Sequence, residues 1–269
     1  MNPKQHNYTN AFSRITGRLA RLKSPYFIIK LFIKWYIIHY KIDIDLYRFK
    51  FEKGITFNEF FVRQKKHIPE FDKYSICSPA DGKIVSSGSI NNGLILPVKG
   101  QSLKFEDLTD EKLLEQKQYS YYNIYLSPAD YHRFHAPFDM EIEKLKYFKG
   151  KLMSVNPKIV KKHENLYCNN ERVVLKGKWE RGVFWMILVG AFNVGDIELK
   201  FCNIRTNRKN ANSEEIVFQK PVVLDAGKEV GKFNFGSTVI LVLDIELFTS
   251  TQFSGKIVKI GNILKNFIQ

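Results

Sequence analysis

Cysteine is scarce in this sequence of 269 residues, and it has no long apolar run free of charged residues. An odd number of widely spaced cysteines makes neither a disulfide framework nor a zinc cluster, and it favours a reducing compartment. The three are Cys77, Cys168 and Cys202. The longest apolar run, residues 26–40, contains Lys30 and Lys34, whereas a membrane-spanning helix needs about 20 largely apolar residues. The sequence therefore predicts no spanning helix, and the run begins too late for a cleavable signal peptide.

Acidic residues are missing from the amino terminus: eight Lys or Arg residues lie within residues 1–41, and the first acidic residue is Asp43. On a helix, four of these lysines fall on one narrow face, and the remaining surface is mostly aliphatic and aromatic. They are Lys23, Lys30, Lys34 and Lys41. Such a helix suits the interface of an anionic membrane, but a core helix with one solvated lysine stripe fits the pattern equally well.

The chain as a whole is basic, with 42 Lys and Arg against 27 Asp and Glu and a net charge of +15. We therefore expect an anionic partner, a class that includes nucleic acid, membrane phospholipid and acidic substrates. The hydrophobic fraction of 44% excludes a disordered chain and indicates a globular fold.

Short β-rich runs alternate with Gly, Pro and Asn turns in the later part of the chain. The clearest runs are residues 83–86, 93–98, 183–189 and 239–243. They predict an α+β protein, with a mainly antiparallel β domain over residues 71–269 that follows a helical region over residues 1–70. Within the helical region, Thr56 and Glu59 predict a capping box at the start of a short helix.

Two turn-like segments could carry chemistry, although each alone is more often structural. In residues 78–82, Asp81 precedes a glycine at the entry to a strand, as in many turns. In residues 235–238, a Gly-Ser-Thr sequence leads into the apolar run that begins at Val239.

A third segment, residues 127–137, contains two histidines. Ser127 and Pro128 favour a helix start, and Asp130 suits the positive end of the helix dipole. This predicts a short helix on which His132 and His135 share one face. The pair could be metal ligands, an acid/base pair or packed polar residues. Metal ligation is the weakest of these because a third ligand at a standard spacing is missing, so we expect no metal.

Taken in order, these segments and several others closely resemble the phosphatidylserine decarboxylase proenzymes, a pyruvoyl-dependent family. The resemblance spans about residues 56–239, and the length suits a bacterial member. The matching segments are Thr56-Phe57-Asn58-Glu59-Phe60-Phe61-Val62-Arg63, Pro79-Ala80-Asp81-Gly82, Tyr125-Leu126-Ser127-Pro128, His132-Arg133-Phe134-His135-Ala136-Pro137, Gly150-Lys151-Leu152, Val155-Asn156-Pro157, Asn170-Glu171-Arg172-Val173, Val189-Gly190-Ala191, Asn193-Val194-Gly195 and Phe235-Gly236-Ser237-Thr238-Val239.

The resemblance implies that the chain cuts itself between Gly236 and Ser237 and converts Ser237 into a pyruvoyl group. His135 would be the base for this reaction, with Asp81 orienting it. The pyruvoyl group would form a Schiff base with phosphatidylserine and act as the electron sink for decarboxylation to phosphatidylethanolamine. His132 is the candidate for substrate contact or proton donation.

The resemblance also implies where the protein works and what it binds. A lipid substrate favours the membrane-associating interpretation of residues 1–70, with anionic lipid as a partner and a peripheral position on the cytoplasmic side of the inner membrane. The two cleaved chains should stay associated, nucleic acid is not expected, and a homodimer stays open. The alternatives are a decarboxylase of another aminophospholipid and a non-enzymatic basic protein that binds nucleic acid.

Overall fold

The computed structural model describes residue 13 and residues 15–191, 196–204, 206–207, 212–234 and 237–267. Residues 15–19 are helical, and the longest helix follows them. The helices with their bounds are α1 (Tyr26–His39), α2 (Phe57–Phe61), α3 (Phe105–Thr109), α4 (Pro157–Val160) and α5 (Leu166–Asn169), with a 3₁₀ turn at Ile44–Leu46. In α2, Thr56 and Glu59 form the predicted capping box, which is confirmed.

An eight-stranded antiparallel sheet forms the centre of the fold. In spatial order its strands are β11 (Glu214–Leu224), β7 (Met140–Phe148), β8 (Arg172–Trp179), β9 (Gly182–Gly190), β13 (Ser237–Leu243), β5 (Ser120–Leu126), β2 (Gly82–Ser89) and β14 (Ile257–Val258). The prediction of an α+β protein with a mainly antiparallel sheet and few helices is confirmed.

Smaller antiparallel sheets pack beside the large one. Their strands are β10 (Ile197–Leu199), β12 (Glu229–Phe233) and β6 (Arg133–His135) in one, β1 (Ser75–Cys77) and β15 (Ile263–Asn266) in another, and β3 (Leu94–Ile95) and β4 (Leu103–Lys104) in a third. The predicted strand over residues 93–98 is wrong in length. Within it, Leu94 and Ile95 form the strand that pairs with β4, and Pro97 has no N–H to donate to a ladder.

β13 lies in the middle of the large sheet, between β5 and β9, and all seven of its residues are buried. Its side chains alternate between two cores: Val239, Leu241 and Leu243 belong to one, and Ile240 and Val242 belong to the other. Because both faces of the strand are covered, an uninterrupted apolar run is what this position requires. The predicted buried strand over residues 239–243 is confirmed.

The amino-terminal helices pack on the domain by one face only. Ile33 and Tyr36 of α1 are buried in a cluster that also contains Tyr131, and the Tyr36 hydroxyl donates a hydrogen bond to the Pro128 carbonyl at 2.8 Å. The opposite face of α1 is apolar and exposed; Ile38, for example, is 77% exposed. Along the part of the chain that the structure describes, none of the helices combines the length and the apolar character needed to cross a membrane.

The predicted helix within residues 127–137 is wrong. The Asp130 carboxylate accepts hydrogen bonds from the backbone N–H and hydroxyl of Ser127, which closes a turn, so it does not cap a helix. The chain then enters strand β6, which pairs with β12. The local preference for a helix is overridden here, because burial and long-range strand pairing stabilise the extended backbone. On this extended backbone, His132 and His135 lie three positions apart and point to opposite sides.

Candidate functional site

Ser237 is the first residue of β13 and is fully buried. Its backbone lies between Leu126 of β5 and Gly190 of β9. Its hydroxyl has no hydrogen-bond partner among the described residues, and Gly236, the other half of the predicted cleavage site, lies outside them. An unpaired hydroxyl in a closed core costs free energy, so such a group is a candidate for chemistry.

A cavity of about 560 Å³ opens beside Ser237. Its wall is mostly apolar and comes from the amino-terminal helices, α2 and the end of β5. The apolar lining residues include Leu19, Leu22, Ile28, Ile29, Phe32, Tyr36, Phe57, Phe61, Leu126, Pro128 and Val155, and the polar ones include Tyr40, Tyr125, Ser154 and Asn156. A second cavity of about 770 Å³ is polar, lies beyond the other end of β13 around Glu246 and contains none of the predicted site residues.

His135 is buried, and both of its ring nitrogens have partners. Nδ1 lies 2.8 Å from the Gly227 carbonyl oxygen, which can only accept, so Nδ1 carries the proton. Nε2 therefore accepts from the Tyr131 hydroxyl at 3.3 Å. Burial lowers the pKa of His135, a trend that Lys65 and Arg133 reinforce and that the Gly227 contact and Glu229 oppose. The imidazole is thus neutral at neutral pH, with a lone pair on Nε2.

His132 is fully buried and packs on Phe61, with ring centroids 4.1 Å apart. Its Nδ1 lies 2.8 Å from the Asp130 carbonyl oxygen, so this nitrogen carries the proton, and Nε2 has no partner among the described residues. Burial lowers the pKa of His132 to about 3. The residue therefore presents a neutral acceptor at Nε2.

Asp81 does not touch His135. Its buried carboxylate accepts hydrogen bonds from Lys65 Nζ at 2.8 Å and from the Ile260 backbone N–H at 2.9 Å, and Lys259 Nζ lies 3.4 Å away. The expectation that Asp81 orients His135 is therefore not met by a direct hydrogen bond in the described part of the chain. Likewise, neither histidine is hydrogen-bonded to Ser237 there.

Asn234 holds the chain just ahead of the predicted cleavage site, a role that sequence reasoning missed. Its side-chain amide donates to the Asp196 carbonyl at 3.2 Å, and its carbonyl oxygen accepts from the Asn58 amide at 3.3 Å. Arg21 of the amino-terminal region is ion-paired with Asp196 at 2.6 Å. The segment that leads to Ser237 is thus tied to α2 and to the amino-terminal region.

Glu171 is a second group that sequence reasoning passed over, although it lies in a matching segment. One of its carboxylate oxygens accepts from the Tyr147 hydroxyl and from the Asn207 backbone N–H, while Oε2 has no partner among the described residues. Burial raises the pKa of Glu171 to about 7. Its backbone carbonyl accepts from the N–H of Gly190, the residue opposite Ser237 in the sheet, so the Glu171 backbone lies one strand away from Ser237.

The raised pKa of Glu171 predicts that the stability of the protein depends on pH. Its folded pKa lies above the ordinary value of 4.5, so between pH 4.5 and 7 the native form binds a proton that the unfolded chain has lost. The free energy of unfolding should fall across this window as pH rises, by up to about 3 kcal/mol from this group.

Urea unfolding at pH 5 and pH 8 measures this effect. Glu171→Gln should reduce the difference in the free energy of unfolding between pH 5 and pH 8. The same change at the exposed Glu164 should leave that difference as it is in the unmodified chain. An equal pH dependence in the two variants would contradict the assignment.

Known proteins are similar to this chain over most of its length. A family model described as phosphatidylserine decarboxylase matches residues 57–265. A phosphatidylserine decarboxylase proenzyme of Helicobacter pylori is 35% identical over 263 residues, which covers 96% of this chain and 97% of the relative. Proenzymes of the same name from Campylobacter jejuni and Vibrio parahaemolyticus are 34% and 37% identical, covering 95% and 88% of this chain and 98% and 85% of the relatives. The match runs from α2 through Ser237 almost to the carboxyl terminus, and the chain belongs to the phosphatidylserine decarboxylase family.

Proposed function

We propose that this protein is a phosphatidylserine decarboxylase that makes its own pyruvoyl group from Ser237. The observation that carries the proposal is the buried Ser237 hydroxyl at the start of β13, which has no hydrogen-bond partner among the described residues and lies beside an apolar cavity, in a chain of this family. A cavity of this composition suits the acyl and glycerol portions of a lipid. Carbon dioxide release from vesicles of phosphatidylserine, compared with vesicles of other aminophospholipids, tests the substrate.

Self-cleavage starts with the attack of Ser237 Oγ on the Gly236 carbonyl, which replaces the amide by an ester. A serine hydroxyl is a weak nucleophile at neutral pH and needs a base. His135 is the proposed base because its neutral form carries the lone pair on Nε2. The Tyr131 hydroxyl occupies that lone pair at 3.3 Å, a long hydrogen bond, and has to yield it for the reaction. Elimination then breaks the ester, and hydrolysis releases the nitrogen as ammonia.

A pyruvoyl group at position 237 fits the site, because a ketone oxygen has no proton to donate and the serine hydroxyl has no acceptor among the described residues. When present, the group supplies an electron sink for the decarboxylation of an amine-bearing substrate. The strand that carries it is buried between β5 and β9, so the two cleaved chains stay together.

His132 is proposed as a substrate contact. With Nδ1–H bonded to the Asp130 carbonyl, its Nε2 can accept a hydrogen bond but has no proton to give. A pKa of about 3 makes proton donation by the imidazolium form unfavourable at neutral pH. Between the two roles that the sequence suggests, the geometry favours contact over proton donation. His132 packs on Phe61, which lines the cavity, so it would contact a substrate bound next to Phe61.

The exposed face of α1 is the proposed membrane-binding surface. Phe27, Leu31 and Ile38 lie together on this face, and each is more than half exposed. Of the predicted lysine stripe, Lys30 and Lys34 lie on α1 at the border of this face, whereas Lys23 and Lys41 lie outside the helix, so the predicted stripe of four lysines on one helix is wrong. Other residues of the same helices line the cavity beside Ser237, which gives a lipid a short path from the bilayer to the site. We place the enzyme peripherally on the cytoplasmic side of the inner membrane.

Charge placed in the exposed face of α1 should weaken membrane binding. Leu31→Glu and Ile38→Glu each remove an apolar side chain from the lipid interface and repel anionic headgroups, so we expect roughly a tenfold loss per substitution. Sedimentation with vesicles of phosphatidylcholine and phosphatidylglycerol measures it.

Matched controls lie on edge strand β11, where Val217 and Val223 are 69% and 67% exposed. Val217→Glu and Val223→Glu make the same type of change at similar exposure and should bind vesicles as the unmodified protein does. If the α1 and β11 variants bind equally well, α1 is not the membrane surface.

A further inference from the structure

We propose that Lys65 is a positioning residue for self-cleavage: its ammonium group lies between Asp81 and Tyr131 and connects Asp81 to the Tyr131–His135 pair. The inference rests on the proposed function, because it assigns a role within that reaction. It accounts for how Asp81 can act on His135 when the two side chains do not touch.

The first contact in this arrangement is a buried ion pair. Lys65 Nζ lies 2.8 Å from Asp81 Oδ1, and the two side chains are only 13% and 1% exposed. Lys259 Nζ also approaches the Asp81 carboxylate, at 3.4 Å, but its side chain is 54% exposed. Burial lowers the pKa of Lys65 and Asp81 opposes that effect, so the carboxylate keeps the ammonium charged. Removing one partner of a buried pair leaves the other charge uncompensated.

The second contact joins Lys65 to Tyr131. The ammonium lies over the tyrosine ring, 5.0 Å from its centroid, which is within cation–π range. Tyr131 is almost fully buried, and its ring is stacked on that of His135 with centroids 5.8 Å apart. Its hydroxyl donates to His135 Nε2, the atom that has to act as the base. A cation held over one face of this ring thus sets the position of the hydroxyl that occupies the base.

The charge on Lys65 also acts on His135 directly. The charged groups that face His135 are Lys65 and Arg133, which lower its pKa, and Glu229, which raises it. The groups that face Lys65 are Asp81 and Asp130, which stabilise its charge, and Lys259, which opposes it. Lys65 thus favours the neutral imidazole that self-cleavage needs, and Asp81 acts on His135 by fixing Lys65.

The test uses Lys65→Met, with Lys66→Met as a matched control, since Lys66 is the adjacent, exposed lysine and the change in charge is the same. The readout is the first-order rate of self-cleavage against pH, followed on denaturing gels. In Lys65→Met the acidic limb of the profile should move to higher pH by about half a unit or more, because the neutral imidazole is less favoured. Lys65→Arg, which keeps the charge, should show little of this shift, and Lys66→Met should match the unmodified chain.

A second measurement separates failure of this inference from failure of the proposed function. The His135 imidazole is titrated by NMR in the uncleavable Ser237→Ala chain, with and without Lys65→Met. If the unmodified chain never cuts itself, the proposed function fails, yet the titration still reports on Lys65. Lys65→Gln replaces methionine if that variant does not fold, with the same direction expected. An unchanged His135 titration in Lys65→Met or Lys65→Gln, the variants that remove the charge, would overturn the inference.

Discussion

Replacing Ser237 by alanine will leave the protein as a single uncut chain with no decarboxylase activity. In the proposed mechanism the hydroxyl is the nucleophile of self-cleavage and the source of the pyruvoyl group, so we expect both reactions to be lost together and completely. Denaturing gels and carbon dioxide release from phosphatidylserine vesicles measure the two losses.

The fold should tolerate this substitution, which makes the result easy to interpret. The Ser237 hydroxyl has no hydrogen-bond partner among the described residues, so its removal leaves no group unsatisfied. We expect the free energy of unfolding to stay within about 1 kcal/mol of the unmodified chain. Cleavage at the normal position in Ser237→Ala would show that another residue is the nucleophile.

Replacing His135 by asparagine should slow self-cleavage by about 100-fold to 10,000-fold, the usual contribution of a positioned base. The asparagine amide can still donate to the Gly227 carbonyl, so the local structure loses little, but the titratable nitrogen next to Tyr131 is gone. The rate is followed from freshly refolded chain on denaturing gels. The control is His163→Asn, the same change at an exposed histidine, which should cut at the normal rate.

His132→Asn gives a contrasting result if the two histidines have different roles. This variant should cut itself and then turn over phosphatidylserine slowly, because His132 is assigned to substrate contact and not to cleavage. If His132→Asn blocks cleavage and His135→Asn does not, the two assignments are reversed. In that case His132 would be the base for self-cleavage, a role open to its Nε2 because this acceptor has no partner among the described residues.

Local sequence signals predicted the environment of Ser237 well. The run from Val239 to Leu243 is apolar at every position, and a strand covered on both faces needs that composition. The capping box at Thr56 was equally predictable, because its two partners are three residues apart. Both features depend on neighbours in the chain.

The partners of the two histidines could not be predicted in this way. Nδ1 of His135 bonds to the carbonyl of Gly227, 92 residues further along the chain, and no local pattern reports that contact. The helix predicted around His132 failed for the same reason, because pairing of β6 with β12 decides the backbone. Lys65 carries no recognisable signal in the sequence, since one lysine in a basic segment is normally solvated.

The most direct test of the account is the intact mass of the purified, denatured protein. The account predicts two chains cut after Gly236, the smaller one comprising residues 237–269. In proportion to the 31.5 kDa of the whole chain, these 33 residues weigh about 3.9 kDa. The small chain should have a blocked amino terminus that reacts with a hydrazide, as a ketone does. A protein that stays whole in native, lipid-containing buffer, with no hydrazide-reactive group, would contradict the central claim.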